Sequence, residues 1–248
     1  ALLPFEPQVH RELGGPPTVY VGHPLLERLP LLRPDETEAE RRNAEPPVVL
    51  VLPGSRRREI HRLGFDFGAA LGRLAKTQPM ELVLPTLPHV QGLVEETIAR
   101  WPVKPRVVLG EAEKFAAFRR ARAALCASGT VTLELALAGV PMVAAYRIGW
   151  LEAQIGRRLL RGTSVILANR VIGADVVPEL LQEFLTVPVL TDTLAHTIAD
   201  TPLRATQLEG FAKLDAIFGI NGPSPSERAA DEVLRLARQG RTPALPAR

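Results

Sequence analysis

The sequence predicts an α/β fold, a Rossmann-like parallel sheet with helices on both faces, and three observations carry that expectation. Residues 48–52, Val-Val-Leu-Val-Leu, form an unbroken apolar run, the pattern of a strand covered on both faces of a parallel sheet. Residues 123–146 read as strand, tight turn, helix and strand in direct succession. Short apolar runs then alternate with helical patterns along most of the chain, which calls for a parallel sheet joined by right-handed crossovers. Length and composition agree, since 248 residues suit one large or two small domains and a hydrophobic fraction of 46% supports a packed core.

Taken in order, residues 1–5 read as a strand end, 7–13 as a short turn or helix, and 18–22 as a second strand stopped by His23-Pro24. Residues 25–47 are rich in proline and charge and read as a connector with a short helix around 35–43, so a domain boundary is placed there. The strand at 48–52 leads through Pro53-Gly54-Ser55-Arg56 into a helix over about 58–76. Residues 81–85 and 106–109 are the next strands, with helices over about 90–101 and 112–122. Residues 123–127 are a buried strand and Ser128-Gly129-Thr130 the turn after it. Thr130 is a good N-cap for a helix whose buried face holds Leu133, Leu137 and Val140. Gly139 and Pro141 end that helix, and 142–146 form another strand. Beyond it, 150–161 reads as a helix, 165–168 as a short strand, and 177–184, 194–200, 203–218 and 226–238 as helices. The last ten residues, with two prolines and two arginines, are expected to be frayed.

Composition narrows the function. A net charge of +3 does not argue for nucleic acid, even with a pI near 9.4. Cys126 is the single cysteine, which excludes a disulfide framework or a cysteine-rich zinc site. No apolar run reaches membrane-spanning length. The sequence opens on Ala1 rather than Met and begins on an apolar stretch, which reads as a piece of a longer protein.

Two loops stand out, because ligands of open α/β sheets bind at the carboxyl ends of the strands. In the first, Gly54 permits close backbone approach, Ser55 either caps the next helix or bonds a phosphate oxygen, and Arg56 offers a planar fork for a diphosphate. The same Arg56-Arg57-Arg58 run also fits a solvated basic face capped by Glu59. In the second, Ser128, Gly129 and Thr130 precede a helix whose positive end suits an anion. Glu134, one turn in, is placed to accept hydrogen bonds from the vicinal hydroxyls of a sugar, or simply to offset the helix dipole. His10, His23, His61, His89 and His196 form no metal spacing and no catalytic triad, and the turn at His23-Pro24 reads as fixed. Residues 150–161 fit either a sheet-covering helix with a basic wet face or a helix lying on an anionic membrane.

Several motifs then resemble one family, the lipid-A-disaccharide synthases. They are Leu3-Pro4-Phe5-Glu6, Tyr20-Val21-Gly22-His23-Pro24-Leu25, Leu52-Pro53-Gly54-Ser55-Arg56 with Glu59-Ile60, Ala127-Ser128-Gly129-Thr130 with Thr132-Leu133-Glu134, Pro141-Met142-Val143, Tyr146-Arg147, and Asn169 with Val177-Pro178-Glu179-Leu180-Leu181-Gln182. They run in the family's order across nearly the whole chain. The resemblance implies a GT-B glycosyltransferase, with residues 1–46 the end of an acceptor domain plus connector, 47–222 the donor domain, and 223–248 a C-terminal helix and tail. It implies a UDP-2,3-diacylglucosamine donor, a 2,3-diacylglucosamine 1-phosphate acceptor, release of UDP, and no metal or cofactor. Gly54, Ser55 and Arg56 would meet the diphosphate, with Arg56 stabilising the leaving group. Ser128, Gly129 and Thr130 would approach the same region, Glu134 the ribose, and Asn169 and Arg147 the donor pocket. The base would lie in an acceptor domain ahead of Ala1. Here Leu167-Ala168-Asn169-Arg170 departs from the family, which prefers proline before the asparagine and an apolar residue after it.

The resemblance further implies a peripheral place on the inner face of the cytoplasmic membrane. It also implies homodimers that exchange C-terminal segments, although residues 226–238 could equally fold back toward the first domain. Two alternatives stay open: another GT-B enzyme such as a UDP-N-acetylglucosamine 2-epimerase, or a non-catalytic UDP-binding relic. A nucleic-acid module is disfavoured because aromatics are only 5% of the residues and no stacking platform accompanies the arginines.

Overall fold

The computed structural model describes residues 1–147, 164–220 and 222–238. Its centre is a six-stranded sheet: β1 (Val48–Leu52), β2 (Glu81–Thr86), β3 (Arg106–Leu109), β4 (Ala123–Ala127), β5 (Met142–Tyr146) and β6 (Glu179–Leu181). Every neighbouring pair is parallel and the spatial order is β3-β2-β1-β4-β5-β6. All residues of β1 and β4 are buried, as unbroken apolar runs covered on both faces must be.

The helices of the described residues are α1 (Glu6–Glu12), α2 (Leu29–Leu32), α3 (Glu36–Arg41), α4 (Arg57–Leu74), α5 (Gln91–Ala99), α6 (Glu111–Arg120), α7 (Val131–Leu137), α8 (Leu167–Ile172), α9 (Val187–Ile198), α10 (Pro202–Ala212), α11 (Leu214–Phe218) and α12 (Pro225–Arg238). One core cluster joins Ile60, Leu63, Phe67 and Leu71 of α4 to Val49 and Val51 of β1, Leu125 of β4, and Leu190 and Leu194 of α9. Ile60, Leu63, Phe67, Leu71 and Leu74 recur at helical spacing, so one stripe of α4 meets the sheet.

The chain divides into two compact units, Ala1–Leu29 with Asp215–Arg248, and Pro30–Leu214. In the first, Tyr20 donates its hydroxyl to the Phe218 carbonyl (3.2 Å) and Ser226 donates its amide to Glu27 (2.8 Å). The Arg228 guanidinium lies 5.6 Å from the Tyr20 ring centre. The second unit holds the whole sheet. Within it Asp35 caps α3 through a capping box with Glu38.

Four expectations need correction. Residues 1–5 and 18–22 are not strands: Ala1 bonds only Val19 and Val21, an isolated pairing without a ladder. Residues 165–168 hold no strand: Leu167 and Ala168 open α8, which Gly173 at φ +76 closes and whose inner face Ala168, Asn169 and Val171 bury. The helix expected at 177–184 is replaced by β6, whose three residues pair with Ala144–Tyr146 of β5, and by a 3-10 turn at Gln182–Phe184. A three-residue edge strand is a product of its neighbour, and no periodicity announces it. Thr130 occupies the N-cap of α7 without a side-chain cap bond, and Thr132 instead ties its hydroxyl to the Gly129 carbonyl (2.8 Å). The helix expected at 150–161 and the tail at 239–248 lie outside the described residues.

Candidate functional site

The strand order reverses between β1 and β4, the position at which doubly wound sheets leave a crevice at their carboxyl edge. The register Leu52↔Cys126 pairs the last residue of β1 with the penultimate residue of β4. The loop after β1 (Pro53 to Arg56) and the turn after β4 (Ser128 to Thr130) therefore leave neighbouring strands from the same edge.

Gly54 has φ +121, and a Cβ there would sit 2.5 Å from Glu59 Cβ, so only a bare Cα fits. Glu59, in the first turn of α4, folds back over the loop. Its carboxylate accepts from the Ser55 amide (3.0 Å), the Arg56 amide (3.3 Å) and Arg56 Nη1 (2.9 Å). The N-cap of α4 is Arg56, so Ser55 is not the capping residue. The Arg56 side chain is nonetheless 80% exposed. These donors at the head of an 18-residue helix already hold one anion, the Glu59 carboxylate. His89 packs its Nε2 3.2 Å from the Ser55 carbonyl, which pins the loop from the β2 side.

Across the switch point, Ser128 donates its amide to the Ala145 carbonyl (3.0 Å), and Gly129 and Thr130 are exposed. A Cβ at Gly129 would meet nothing within 4 Å, so the protein itself does not require glycine there. Glu134 projects from the first turn of α7, 17% exposed, with Lys114 Nζ 2.5 Å from its Oε2. Lys114 belongs to α6, and its ammonium also lies 5.6 and 5.4 Å from the ring centres of Phe115 and Phe118. Sequence reasoning passed over Lys114. The only available signal was its place four residues before Phe118, on the helix that enters the β4 unit.

Arg147 follows β5 at the same edge. Its guanidinium is tied to Asp66 of α4 (2.9 Å) and the Leu185 carbonyl (2.8 Å), and its own carbonyl accepts from Arg62 (3.2 Å). Asn169 is 2% exposed on α8, which packs against α7. Its amide exchanges bonds with Val177 (2.9 and 3.0 Å) and donates to Ser164 Oγ (3.2 Å). Ser164 donates its hydroxyl to Glu179 Oε2 (2.9 Å), whose other carboxylate oxygen is buried without a partner among the described residues. Burial pushes the Glu179 carboxyl above its ordinary range, against the opposing bonds from Ser164 and Val165.

The fold thus brings Gly54, Ser55, Arg56, Ser128, Gly129, Thr130 and Glu134 to adjacent strand ends. Arg147 lies one strand away, tied to protein partners, and Asn169 is a buried tie behind α7. The groups gathered at this edge are the loop amides and the Arg56 guanidinium now held by Glu59, the exposed Gly129-Thr130 turn, and the Glu134 carboxylate paired with Lys114. That inventory suits a ligand with an anionic part and vicinal hydroxyls. Among the described residues no helix is long and apolar enough to cross a membrane.

Comparison with known proteins sharpens the picture. The lipid-A-disaccharide synthetase family model matches residues 1–215. A lipid-A-disaccharide synthase of Bradyrhizobium diazoefficiens is 58% identical over 241 residues, covering 97% of this chain and 62% of that protein. The chain therefore spans about three fifths of that relative's length. Among solved structures, the UDP-GlcNAc 2-epimerase of Neisseria meningitidis aligns with TM-score 0.60 at 15% identity, covering 94% of this chain and 61% of that one. The calicheamicin glycosyltransferase CalG4 aligns with TM-score 0.55 at 22% identity, covering 98% and 52%. At such identities the structural likeness speaks to the fold, the Rossmann-like half of a GT-B architecture.

Proposed function

The chain belongs to the lipid-A-disaccharide synthase family, and from that premise we propose that it carries the donor-binding part of a lipid A glycosyltransferase. The full reaction is the transfer of 2,3-diacylglucosamine from UDP-2,3-diacylglucosamine to 2,3-diacylglucosamine 1-phosphate, with UDP leaving. Residues 47–222 are the donor domain, 1–46 the end of the acceptor domain and its connector, and 223–248 the C-terminal helix and tail. The supporting observation is the pair of strand-end turns side by side at the switch point, one headed by Arg56 and one by Gly129.

The chemistry follows from charge. As the glycosidic bond breaks, negative charge builds on the diphosphate. Donors already aimed there stabilise it without the penalty of reorganising water. Ser55, Arg56 and the amides of their loop take the diphosphate, and Ser128, Gly129 and Thr130 close on it from the next strand. The present partner of the Arg56 donors is Glu59, an i,i+3 surface pair of the kind that contributes only about 0–1 kcal/mol. A charge-assisted bidentate contact to phosphate exceeds that, so the exchange of Glu59 for diphosphate is favourable. Glu134 accepts the ribose hydroxyls. Arg147 borders the donor pocket and the buried Asn169 supports it from behind α7, the two held in place by Asp66, Leu185 and Val177. The base that activates the acceptor hydroxyl belongs to the acceptor domain. On this reading the acylated substrates call for work at the inner face of the cytoplasmic membrane.

Titration calorimetry with UDP tests the reading. The 248-residue chain should bind UDP, and Arg56→Ala should weaken binding by roughly tenfold or more, the loss of one charged hydrogen-bonding group. Absence of UDP binding supports the relic instead. Epimerisation of UDP-N-acetylglucosamine supports the epimerase.

A further inference from the structure

We propose that Lys114 is the positioning residue for Glu134 and that the pair together recognises the ribose of the bound nucleotide; this rests on the donor-site reading above. Glu134 reaches the site from α7 and Lys114 from α6, so the contact joins the helices entering and leaving β4. The ammonium engages Oε2 of the carboxylate at 2.5 Å and is otherwise seated over Phe115 and Phe118, both buried. Lys114 is 28% exposed and Glu134 17%, so both heads are partly shielded yet reachable from the site.

This placement does two things for a vicinal diol. It removes the rotational freedom of the Glu134 carboxylate, which on a helix surface would otherwise sample several rotamers and dilute its hydrogen bonds. It also leaves Oε1 open to accept a ribose hydroxyl, while the ammonium, with three donors, has protons to spare for the oxygen of the neighbouring hydroxyl. A carboxylate acceptor beside an ammonium donor matches a hydroxyl pair in which each member both gives and takes. A 2′-deoxyribose lacks one member and leaves a shielded partner unsatisfied, the situation in which a polar site discriminates most strongly. Lysine suits the task as a compact point charge that can contact carboxylate and sugar at once.

The test is calorimetric titration of the 248-residue chain with UDP and with 2′-deoxy-UDP. The wild-type chain should prefer UDP by about tenfold or more. Lys114→Met should lose about tenfold in UDP affinity while affinity for 2′-deoxy-UDP changes by less than about threefold, so the preference collapses. Lys114→Arg should restore part of it. Thermal melts report folding, and Lys114→Gln provides a second variant should the methionine form melt early. A preference for UDP that survives both substitutions would make Lys114 a plain inter-helix ion pair and overturn this inference while leaving the donor site standing. Failure of the wild-type chain to bind UDP would overturn both.

Discussion

Arg42 shows how much a single side chain can carry. Its guanidinium donates to the carbonyls of Arg119 (2.8 Å), Gly139 (3.1 Å), Phe118 (3.1 Å) and Ala138 (2.9 Å), the ends of α6 and α7. Burial, reinforced by the Arg204 charge, lowers its pKa to about 10. Arg204 is lowered likewise to about 10, chiefly by burial, and donates to the Arg122 and Thr197 carbonyls. Planar forks that close helix ends give the arginine-rich composition a structural use that the sequence reading did not assign. Arg42→Ala should destabilise the fold by about 2–4 kcal/mol in denaturant melts, since several carbonyls lose a charged donor at once. Arg42→Lys should recover little, because one ammonium cannot span four acceptors. Glu179 sets a second residue-scale expectation. Burial raises its folded pKa above the ordinary 4.5, so the folded state holds a proton longer than the unfolded chain. Its contribution is therefore most favourable below about that value and is lost as pH rises through the raised pKa. The stability of Glu179→Gln relative to wild type should increase between pH 4 and pH 8 in paired thermal melts; a pH-independent difference would contradict the assignment.

At the scale of elements, legibility followed local information. The strands at 48–52, 106–109, 123–127 and 142–146 match their predicted limits; three are bounded apolar runs buried in the sheet, whereas the edge strand at 106–109 buries only Val108. The short edge strand β6 and helix α8 were exchanged in type, because neighbour pairing and a left-handed glycine cap outweighed propensity there. The two strand-end turns were legible from glycine placement, but Lys114 was not, since the Lys114–Glu134 pair forms only when β4 brings α6 and α7 together. The two glycines also differ physically, and this yields a paired test. Gly54→Ala forces a side chain into a left-handed backbone and against Glu59, a strain of roughly 1–3 kcal/mol, so it should lower both the melting temperature and UDP affinity. Gly129→Ala adds a methyl to open space, so the melting temperature should hold within about 1 °C while UDP affinity falls. An unchanged affinity for Gly129→Ala would mean that the ligand does not approach the turn after β4.

For the molecule as a whole, the decisive point is which unit holds the proposed donor site. Gly54 to Arg56, Ser128 to Thr130, Glu134, Lys114, Arg147 and Asn169 all belong to the unit Pro30–Leu214, as do the six strands that position them. The other unit joins residues 1–29 to 215–238 through contacts such as Tyr20 with Phe218 and Glu27 with Ser226, and contributes none of these groups. A chain limited to residues 30–214 should therefore bind UDP within about threefold of the 248-residue chain, a difference below about 0.7 kcal/mol. Transfer is a separate matter. Holding a diphosphate leaving group supplies only one side of the reaction, and the acceptor with its base must be delivered in line on the opposite face of the sugar. Neither the shorter nor the longer chain should form disaccharide from the acylated donor and acceptor, while both should show UDP binding by calorimetry. Measurable transfer by the 248-residue chain would place the base within these residues and require a new assignment of roles. Loss of UDP binding on removing residues 1–29 and 215–248 would show that the nucleotide leans on the smaller unit.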